Sequence, residues 1–229
     1  MLAMAAEGFG LDVSDQQMDD WAAMFGGIYK LDGIVDSDLT ERERRVRFDV
    51  LLDDVTLAIH DGKPVMDCEN THNCQLCHLR QNLVGRDEFD LVDIGFRLDM
   101  LFDYAEKRRH TQKVPALTQL CAGEGRLTAS LLEMPTQPGH ESETIKFNML
   151  LRNLGAAGTL LDTALDLQED YENGLCQVPP TKLNKARIIS RSLPLLALTY
   201  VQMPKALRDD VQASLKEISA STQTAIAAA

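Results

Sequence analysis

The sequence predicts an all-α protein that folds as a single-domain helical bundle. Leu, Ala and Met are abundant, whereas aromatic residues make up 5% of the chain, and this composition favours helices. Apolar side chains recur three and four residues apart, which is the period of an amphipathic helix. With 229 residues, the chain is long enough to bury one sizeable core. We expect a loose lead-in over residues 1–15, a helical domain over residues 16–220 and a frayed tail over residues 221–229.

Charge and composition exclude several classes of protein. The net charge of −12 argues against a surface that binds nucleic-acid phosphates. The sequence has no run of 18 apolar residues, so we expect no membrane-spanning helix. Residues 1–20 contain no Lys or Arg and no long apolar core, so we expect no secretory signal. The five cysteines, an odd number, are then expected to be reduced thiols of a cytoplasmic protein.

The periodic segments predict a series of helices in chain order. The first begins near Gln16, and the second contains the capping-box pattern Thr40-x-x-Glu43 and ends near Gly62. After the first helix, the expected helical segments are Leu39–His60, Leu91–Lys107, Val114–Glu133, Glu141–Gly174, Lys182–Leu198 and Pro204–Ser219.

Three aspartates near the end of the long segment are the most informative residues. Asp162, Asp166 and Asp170 are spaced i, i+4, i+8, which places them in a wedge about 80° wide and about 12 Å long on a helix. Carboxylates this close repel one another unless a cation lies among them. Magnesium (Mg²⁺) takes one or two carboxylates and completes its shell with water and phosphate oxygens. A solvated acidic face is the alternative, but the preceding apolar and small run 154–161 favours a metal site.

A second acidic pair lies near the start of the chain. Asp32 and Asp36 are spaced i, i+4 at the end of the first predicted helix, so they share one face. One such pair is also common at a solvated helix end. Two aspartate motifs about 130 residues apart, both on predicted helices, form a more specific signal for a metal site built between helices.

Both motifs resemble those of the squalene and phytoene synthase family. The second motif matches at Gly155, Ala157, Asp166, Glu169, Asp170, Gly174 and Pro179, with Asp162 in place of an Asn. Its Leu-Leu-Asp form also resembles the large-terpene synthases that cyclise long prenyl diphosphates. The first motif matches at Asp32, Ile34, Val35 and Asp36, whereas Gly33, Phe25 and Tyr29 replace an Asp, a Tyr and an Arg.

The resemblance implies a helical bundle of the isoprenoid synthase type and a Mg²⁺-dependent enzyme that ionises an allylic prenyl diphosphate. It implies metal ligands at Asp32, Asp36, Asp162, Asp166 and Asp170, with Asp32, Asp36, Asp166 and Asp170 in catalytic roles. The segment Gly95-Phe-Arg97-Leu-Asp99 resembles a cavity-lining helix of the family, so Arg97 and Asp99, with Tyr29, are substrate-binding candidates. A salt-bridged surface pair is the alternative for Asp99.

Three departures bear on the activity. The family has Arg and Tyr where this chain has Leu175 and Gln177, and it has Arg where this chain has Tyr29. These losses favour an enzyme that acts on one prenyl diphosphate over one that joins two. They also leave open a non-catalytic prenyl-binding or assembly-factor member of the same fold. A peripheral membrane contact and a homodimer are left open as partners.

Two further segments carry chemistry outside the motifs. Cys68, Cys74, Cys77 and His78 could ligate zinc, although one Cys-x-x-Cys pattern without a second distant pair is a weak signal and cysteines are commonly just buried. Covalent haem at Cys-x-x-Cys-His would require export. The basic residues Arg108 and Arg109 begin a patch that extends to Lys113. We interpret this patch as a solvated helix end, with contact to a diphosphate or a membrane surface as the alternative.

Overall fold

The computed structural model describes residues 2–61, 88–209 and 212, and within them it contains helices and no strand. This confirms the all-α class, while the isoprenoid synthase type stays a prediction. The helices are α1 (Leu2–Gly8), α2 (Asp15–Val35), α3 (Glu41–Asp61), α4 (Glu88–Arg109), α5 (Val114–Ser130), α6 (Glu141–Glu172) and α7 (Lys182–Gln202).

Local capping explains where several helices begin. The Ser14 hydroxyl accepts from the Gln17 amide at 3.1 Å, and the Thr181 hydroxyl accepts from the Asn184 amide at 3.1 Å. At the start of α3, the Thr40 amide donates to the Glu43 carboxylate at 2.9 Å and the Glu43 amide donates to the Thr40 hydroxyl at 3.3 Å. The predicted capping box is therefore confirmed.

The first residues differ from the expected loose lead-in. Leu2–Gly8 forms the short helix α1, and Ala6 and Leu11 are buried in the core. The Phe9 ring packs edge-on against Phe147 at 6.1 Å between centroids. Gly10 turns the chain with φ 76°, a backbone conformation that favours glycine. Apolar burial therefore orders a stretch in which local sequence gives a weak helix signal.

Two apolar clusters form the core around α6. One gathers the rings of Trp21, Phe48, Phe102 and Phe147. The other lies where α5, α6 and α7 meet, and its fully buried side chains include Leu117, Leu160, Leu167 and Ile188. Each such side chain stabilises the fold by about 1.5–3 kcal/mol. The Trp21 indole also donates to the Leu132 carbonyl at 2.7 Å, so its polar atom is satisfied inside the core.

Helices α5 and α6 cross at two glycines. A Cβ added at Gly125 would lie 2.2 Å from the Gly155 carbonyl oxygen, so neither position has room for a side chain. The absence of a side chain at both positions lets the two helix backbones approach closely. The crossing brings Glu124, the neighbour of Gly125, towards the face of α6 that carries the aspartates.

A buried ion pair joins α3 to α4. The Arg44 guanidinium contacts both oxygens of Glu106, at 2.5 and 2.6 Å, and both side chains are almost fully buried. Within the described residues, no helix is both long and apolar enough to cross a membrane. The zinc candidates Cys68, Cys74, Cys77 and His78 and the tail 221–229 lie outside the described residues.

Candidate functional site

The first aspartate pair lies at the carboxyl end of α2. Asp32 is in the last turn, and Asp36 caps the helix, with its amide donating to the Asp32 carbonyl at 2.8 Å. Tyr29, which is 71% exposed, precedes Asp36 by seven residues and so shares its side of the helix. The end of α2 therefore presents one tyrosine and two carboxylates along one face.

The second motif lies entirely within α6. Asp162 and Asp166 are exposed and Asp170 is half-buried. The residues on the opposite side of the same turns, Leu160, Ala164 and Leu167, are buried against α5 and α7. This packing fixes the rotation of α6 about its axis, so the aspartate wedge points away from that apolar cluster.

The two motifs face the same space, although they are about 130 residues apart in sequence. Burial raises the pKa of Asp32 above its ordinary value, and the charge of Asp36 raises it further. Arg108 opposes these effects, whereas Asp162 and Asp170 on α6 add to them. Since the interaction between two charges weakens with distance and salt largely screens exposed charges beyond about 10 Å, this coupling places the aspartates of α2 and α6 around one acidic site.

Arg108, at the end of α4, lies inside this acidic site. Its guanidinium is 3.6 Å from an Asp36 oxygen and 3.5 Å from a Glu124 oxygen, and its side chain is 12% exposed. Burial alone lowers the pKa of Arg108, but the charges of Glu124, Asp170 and Asp36 raise it above its ordinary value, so the group stays charged. The interpretation of Arg108 as part of a solvated helix end is therefore wrong.

Glu124 is a member of the site that the sequence motifs do not include. It lies on α5 with 16% of its side chain exposed, and burial raises its pKa, against the opposing charge of Arg108. Among the described residues, its Oε2 atom and the Nε atom of Arg108 have no hydrogen-bond partner. Orphaned buried polar atoms are uncommon and suggest an absent ligand or water. The available signal was a glutamate between two glycines that is the one acidic residue of α5.

Arg109 joins the ends of the two motif segments. Its guanidinium donates to the carbonyls of Val35 and Ser37 at the end of α2, the latter at 3.3 Å. It also donates to the Gly174 carbonyl, just past α6, at 3.4 Å. Gly174 has φ 70°, which turns the chain immediately after the aspartates. Arg109 therefore fixes the carboxyl ends of α2 and α6 relative to each other.

The aspartates are coupled but do not form a closed ligand shell. Among the described residues, the group whose potential ligand atoms all lie within 4.8 Å of one another is Glu41, Glu106 and His110. Because Arg44 already neutralises Glu106 through two contacts, we do not assign that group to a metal. The motif aspartates are therefore spaced more widely than the atoms of that group.

A small apolar cavity adjoins the acidic site. Its volume is about 50 Å³, and Asp32, Glu124 and Thr128 contribute its polar wall. The other lining residues are Ile28, Leu31, Val35, Phe48, Leu98, Leu101, Phe102 and Ala105. Two of the carboxyl-bearing residues of the acidic site therefore also border an apolar interior.

The two substrate-binding candidates on α4 have other partners. Arg97 contacts Asp93 at 2.5 Å and donates to the Ser130 carbonyl at 2.9 Å. Asp99 forms an ion pair with Arg45 of α3 at 2.6 Å. The contacts of Arg97 with Ser130 and of Asp99 with Arg45 therefore join α4 to α5 and α3. Arg108, by contrast, lies between the two aspartate motifs.

Comparison of the chain with protein-family models, curated proteins and solved structures finds no match. The function proposed below therefore rests on the residues of the chain itself.

Proposed function

We propose that the chain is a Mg²⁺-dependent enzyme that ionises an allylic prenyl diphosphate, of the terpene synthase or squalene/phytoene synthase kind. The observation that carries this proposal is the meeting of the two aspartate motifs around Arg108 and Glu124. The acidic residues of the site outnumber its buried cation, and such an excess of negative charge attracts divalent cations.

The donor set fits Mg²⁺. This ion favours carboxylate oxygens and completes its octahedron with water and substrate phosphates, so a set of well-separated aspartates suits it better than a closed cage. Asp32 and Asp36 at the end of α2 and Asp162, Asp166 and Asp170 on α6 would between them hold Mg²⁺ ions, each bound by one or two carboxylates. When bound, Mg²⁺ supplies the positive charge that stabilises a departing diphosphate.

The chain's own residues contribute three further effects. Arg108 adds a fixed positive charge beside the acidic groups, where it costs no reorganisation during reaction. Arg109 holds the carboxyl ends of the two motif helices, α2 and α6, at a fixed position relative to each other. The apolar residues around the small cavity, which include Phe48 and Phe102, exclude water from the interior next to Asp32.

Calorimetric titration tests the proposal directly. A non-hydrolysable prenyl diphosphate is titrated into the protein with Mg²⁺ and again with a chelator. We expect binding that requires Mg²⁺, because the aspartates alone repel an anionic diphosphate. Binding that ignores Mg²⁺, or no binding in either condition, would contradict the enzyme proposal.

Asp166→Asn is the sharpest single change, since Asp166 is exposed and central in the α6 motif. We expect Mg²⁺-dependent diphosphate release to fall about a hundredfold, the effect of losing a contact worth on the order of 3 kcal/mol to the transition state. The melting temperature should stay the same or rise, because like-charge repulsion is relieved. Release of pyrophosphate and thermal unfolding are measured together.

Asp19→Asn is the matched control, because it removes an exposed carboxylate from α2 well before Asp32. It should leave turnover unchanged. If Asp166→Asn also leaves turnover unchanged, the α6 aspartates form only a solvated surface.

A non-catalytic prenyl-binding or assembly-factor protein is the second candidate. Leu175, which stands where the related family has Arg, is buried, and Gln177, which stands for Tyr, is paired with Gln112 at 3.0 Å. The cavity of about 50 Å³ is also smaller than the roughly 300 Å³ at which ligand pockets usually begin, so a prenyl chain requires side chains to move apart. Pyrophosphate release from farnesyl or geranylgeranyl diphosphate would exclude a purely binding role.

A further inference from the structure

A second concave region lies between α5 and α7, on another side of the molecule from the acidic site. It consists of two adjoining hollows of about 460 Å³ and about 430 Å³, which share Pro115, Arg191 and Pro194. We call the two together the arginine groove. Its remaining lining residues are Val114, Thr118, Gln119, Ala122, Arg126, Leu160, Arg187, Ser190 and Leu195.

Helix geometry separates the arginine groove from the acidic site. On α5, the groove residues Pro115, Ala122 and Arg126 lie about 160–200° around the helix from Glu124, at 100° per residue. Glu124 faces Arg108 and the aspartates, so the groove occupies the opposite side of the same helix. A ligand in the groove would therefore not contact the proposed metal ligands.

The charge of the groove is the reverse of that of the chain. The protein carries a net charge of −12, yet the charged residues that line the groove are Arg126, Arg187 and Arg191. Some arginines elsewhere are paired with carboxylates, as Arg45 is with Asp99 and Arg152 with Glu133, whereas Arg42 and Arg47 of α3 are exposed without an ion pair to any described residue. Within the described part of the chain, the three groove arginines form no ion pair, and no carboxylate lines the groove.

Three unpaired guanidinium groups around one concavity indicate an anionic ligand. Guanidinium presents a planar set of donors that matches phosphate oxygens and binds them in pairs. Arg187 and Arg191 are one helical turn apart on α7, and Arg126 lies across the groove on α5. Ala122, Pro194 and Leu195 supply apolar surface between them. The volumes lie within the range of small-molecule sites, roughly 300–1,000 Å³.

We propose that the arginine groove is a second binding site, which takes a phosphate monoester with an apolar body and needs no metal. The phosphate lies against Arg187 and Arg191, and the apolar part lies against Pro194 and Leu195. This proposal does not depend on the function proposed for the acidic site, because the two sites share no charged residue.

Calorimetric titration with hexyl phosphate in the presence of a chelator tests the groove, since removing Mg²⁺ disables the acidic site. We expect saturable binding to the unmodified chain. Arg191→Gln should weaken it about tenfold or more, the usual loss when a charge-assisted hydrogen bond is removed. Arg42→Gln, a change of the same charge at an exposed residue of α3, is the matched control and should bind as the unmodified chain does.

The folding of each variant is checked by thermal unfolding, which should be unchanged because Arg191 is exposed. Failure of the unmodified chain to bind hexyl phosphate, or equal binding by Arg191→Gln, would overturn the proposal.

A vesicle sedimentation assay distinguishes two sources of the phosphate group, a lipid headgroup and a free phosphate ester. The protein is sedimented with phosphatidylcholine vesicles that contain or lack phosphatidic acid. If hexyl phosphate binds and phosphatidic acid vesicles capture the chain through Arg191, the ligand is a lipid headgroup. If hexyl phosphate binds and the vesicles do not, it is a free phosphate ester. If the vesicles bind the protein but hexyl phosphate does not, the membrane contact is made by the exposed Leu193 and Val201 of α7. That result would overturn the proposed binding site in the groove.

Discussion

At the scale of single residues, three consecutive cations at the end of α4 have three different roles. Lys107 is exposed and pairs with Asp103 at 3.5 Å. Arg108 is buried between Asp36 and Glu124, and Arg109 donates to backbone carbonyls at the ends of both motif helices. All three suit the negative end of the helix dipole equally well, so local sequence does not distinguish them. Their roles depend on what packs against each position.

Arg108→Gln should destabilise the free protein by about 3 kcal/mol, since removing the guanidinium leaves the largely buried Glu124 carboxylate without its opposite charge. Mg²⁺ should raise the stability of this variant more than that of the unmodified chain, because the ion replaces the lost positive charge. Urea unfolding with and without Mg²⁺ measures both effects.

Lys107→Gln serves as the control for this change and should alter stability by less than about 0.5 kcal/mol, as expected of an exposed residue. If Arg108→Gln is as mild as Lys107→Gln, Arg108 does not hold the acidic site together.

At the scale of elements, the crossing of α5 and α6 decides where Glu124 lies. The helices meet backbone to backbone at Gly125 and Gly155, with no room for a Cβ between them. Ridges of larger side chains would hold the two axes farther apart. The close crossing of α5 and α6 therefore also positions Glu124, which lies 3.5 Å from the Arg108 guanidinium.

Gly125→Ala should cost roughly 1–3 kcal/mol of stability, because the new Cβ would meet the Gly155 carbonyl and force the helices apart. Gly158→Ala on α6 is the matched control. Its Cβ would meet nothing within 4 Å, so replacing a glycine inside the helix should stabilise the protein by roughly 0.5–1 kcal/mol. Thermal and urea unfolding of the two variants should therefore change in opposite directions, and a neutral Gly125→Ala would refute the close crossing.

At the scale of the whole molecule, the acidic site makes stability depend on pH. Burial raises the pKa values of Asp32, Glu124 and Asp170 above their ordinary values of 3.8, 4.5 and 3.8. The folded chain therefore binds these protons more tightly than the unfolded chain does. The stabilisation from these groups is present below the ordinary values and is lost as pH rises through the raised values.

Glu124→Gln isolates one of these groups, because glutamine imitates the protonated carboxyl. In the presence of a chelator, the free energy of unfolding of this variant relative to the unmodified chain should increase as pH rises from about 4.5 towards neutrality. Chemical unfolding over that range measures the difference. A difference that decreases with pH would show that attraction to Arg108 outweighs the burial of Glu124. Added Mg²⁺ should reduce the pH dependence of the unmodified chain, since the ion favours the charged carboxylates.

The all-α class and most helix boundaries follow from patterns within the sequence. Apolar residues at three- and four-residue spacing predict α2 and the helices that follow it, and the capping box at Thr40 and Glu43 forms as expected. The sequence also places Asp162, Asp166 and Asp170 on one face of α6. These features could be predicted because helical periodicity and capping involve residues no more than a few positions apart.

Which charged residues share a site depends on the tertiary packing of the helices. It brings Asp32 towards Asp170, buries Arg108 and Glu124 between them, and pairs Asp99 with Arg45 instead. It also orders α1 by burying Ala6. Whether a charged side chain is buried, and which group it pairs with, depends on desolvation and on partners contributed by distant segments of the chain. The contact between Gly125 and Gly155, which sets the position of Glu124, joins two such distant segments, so no pattern of neighbouring residues predicts it.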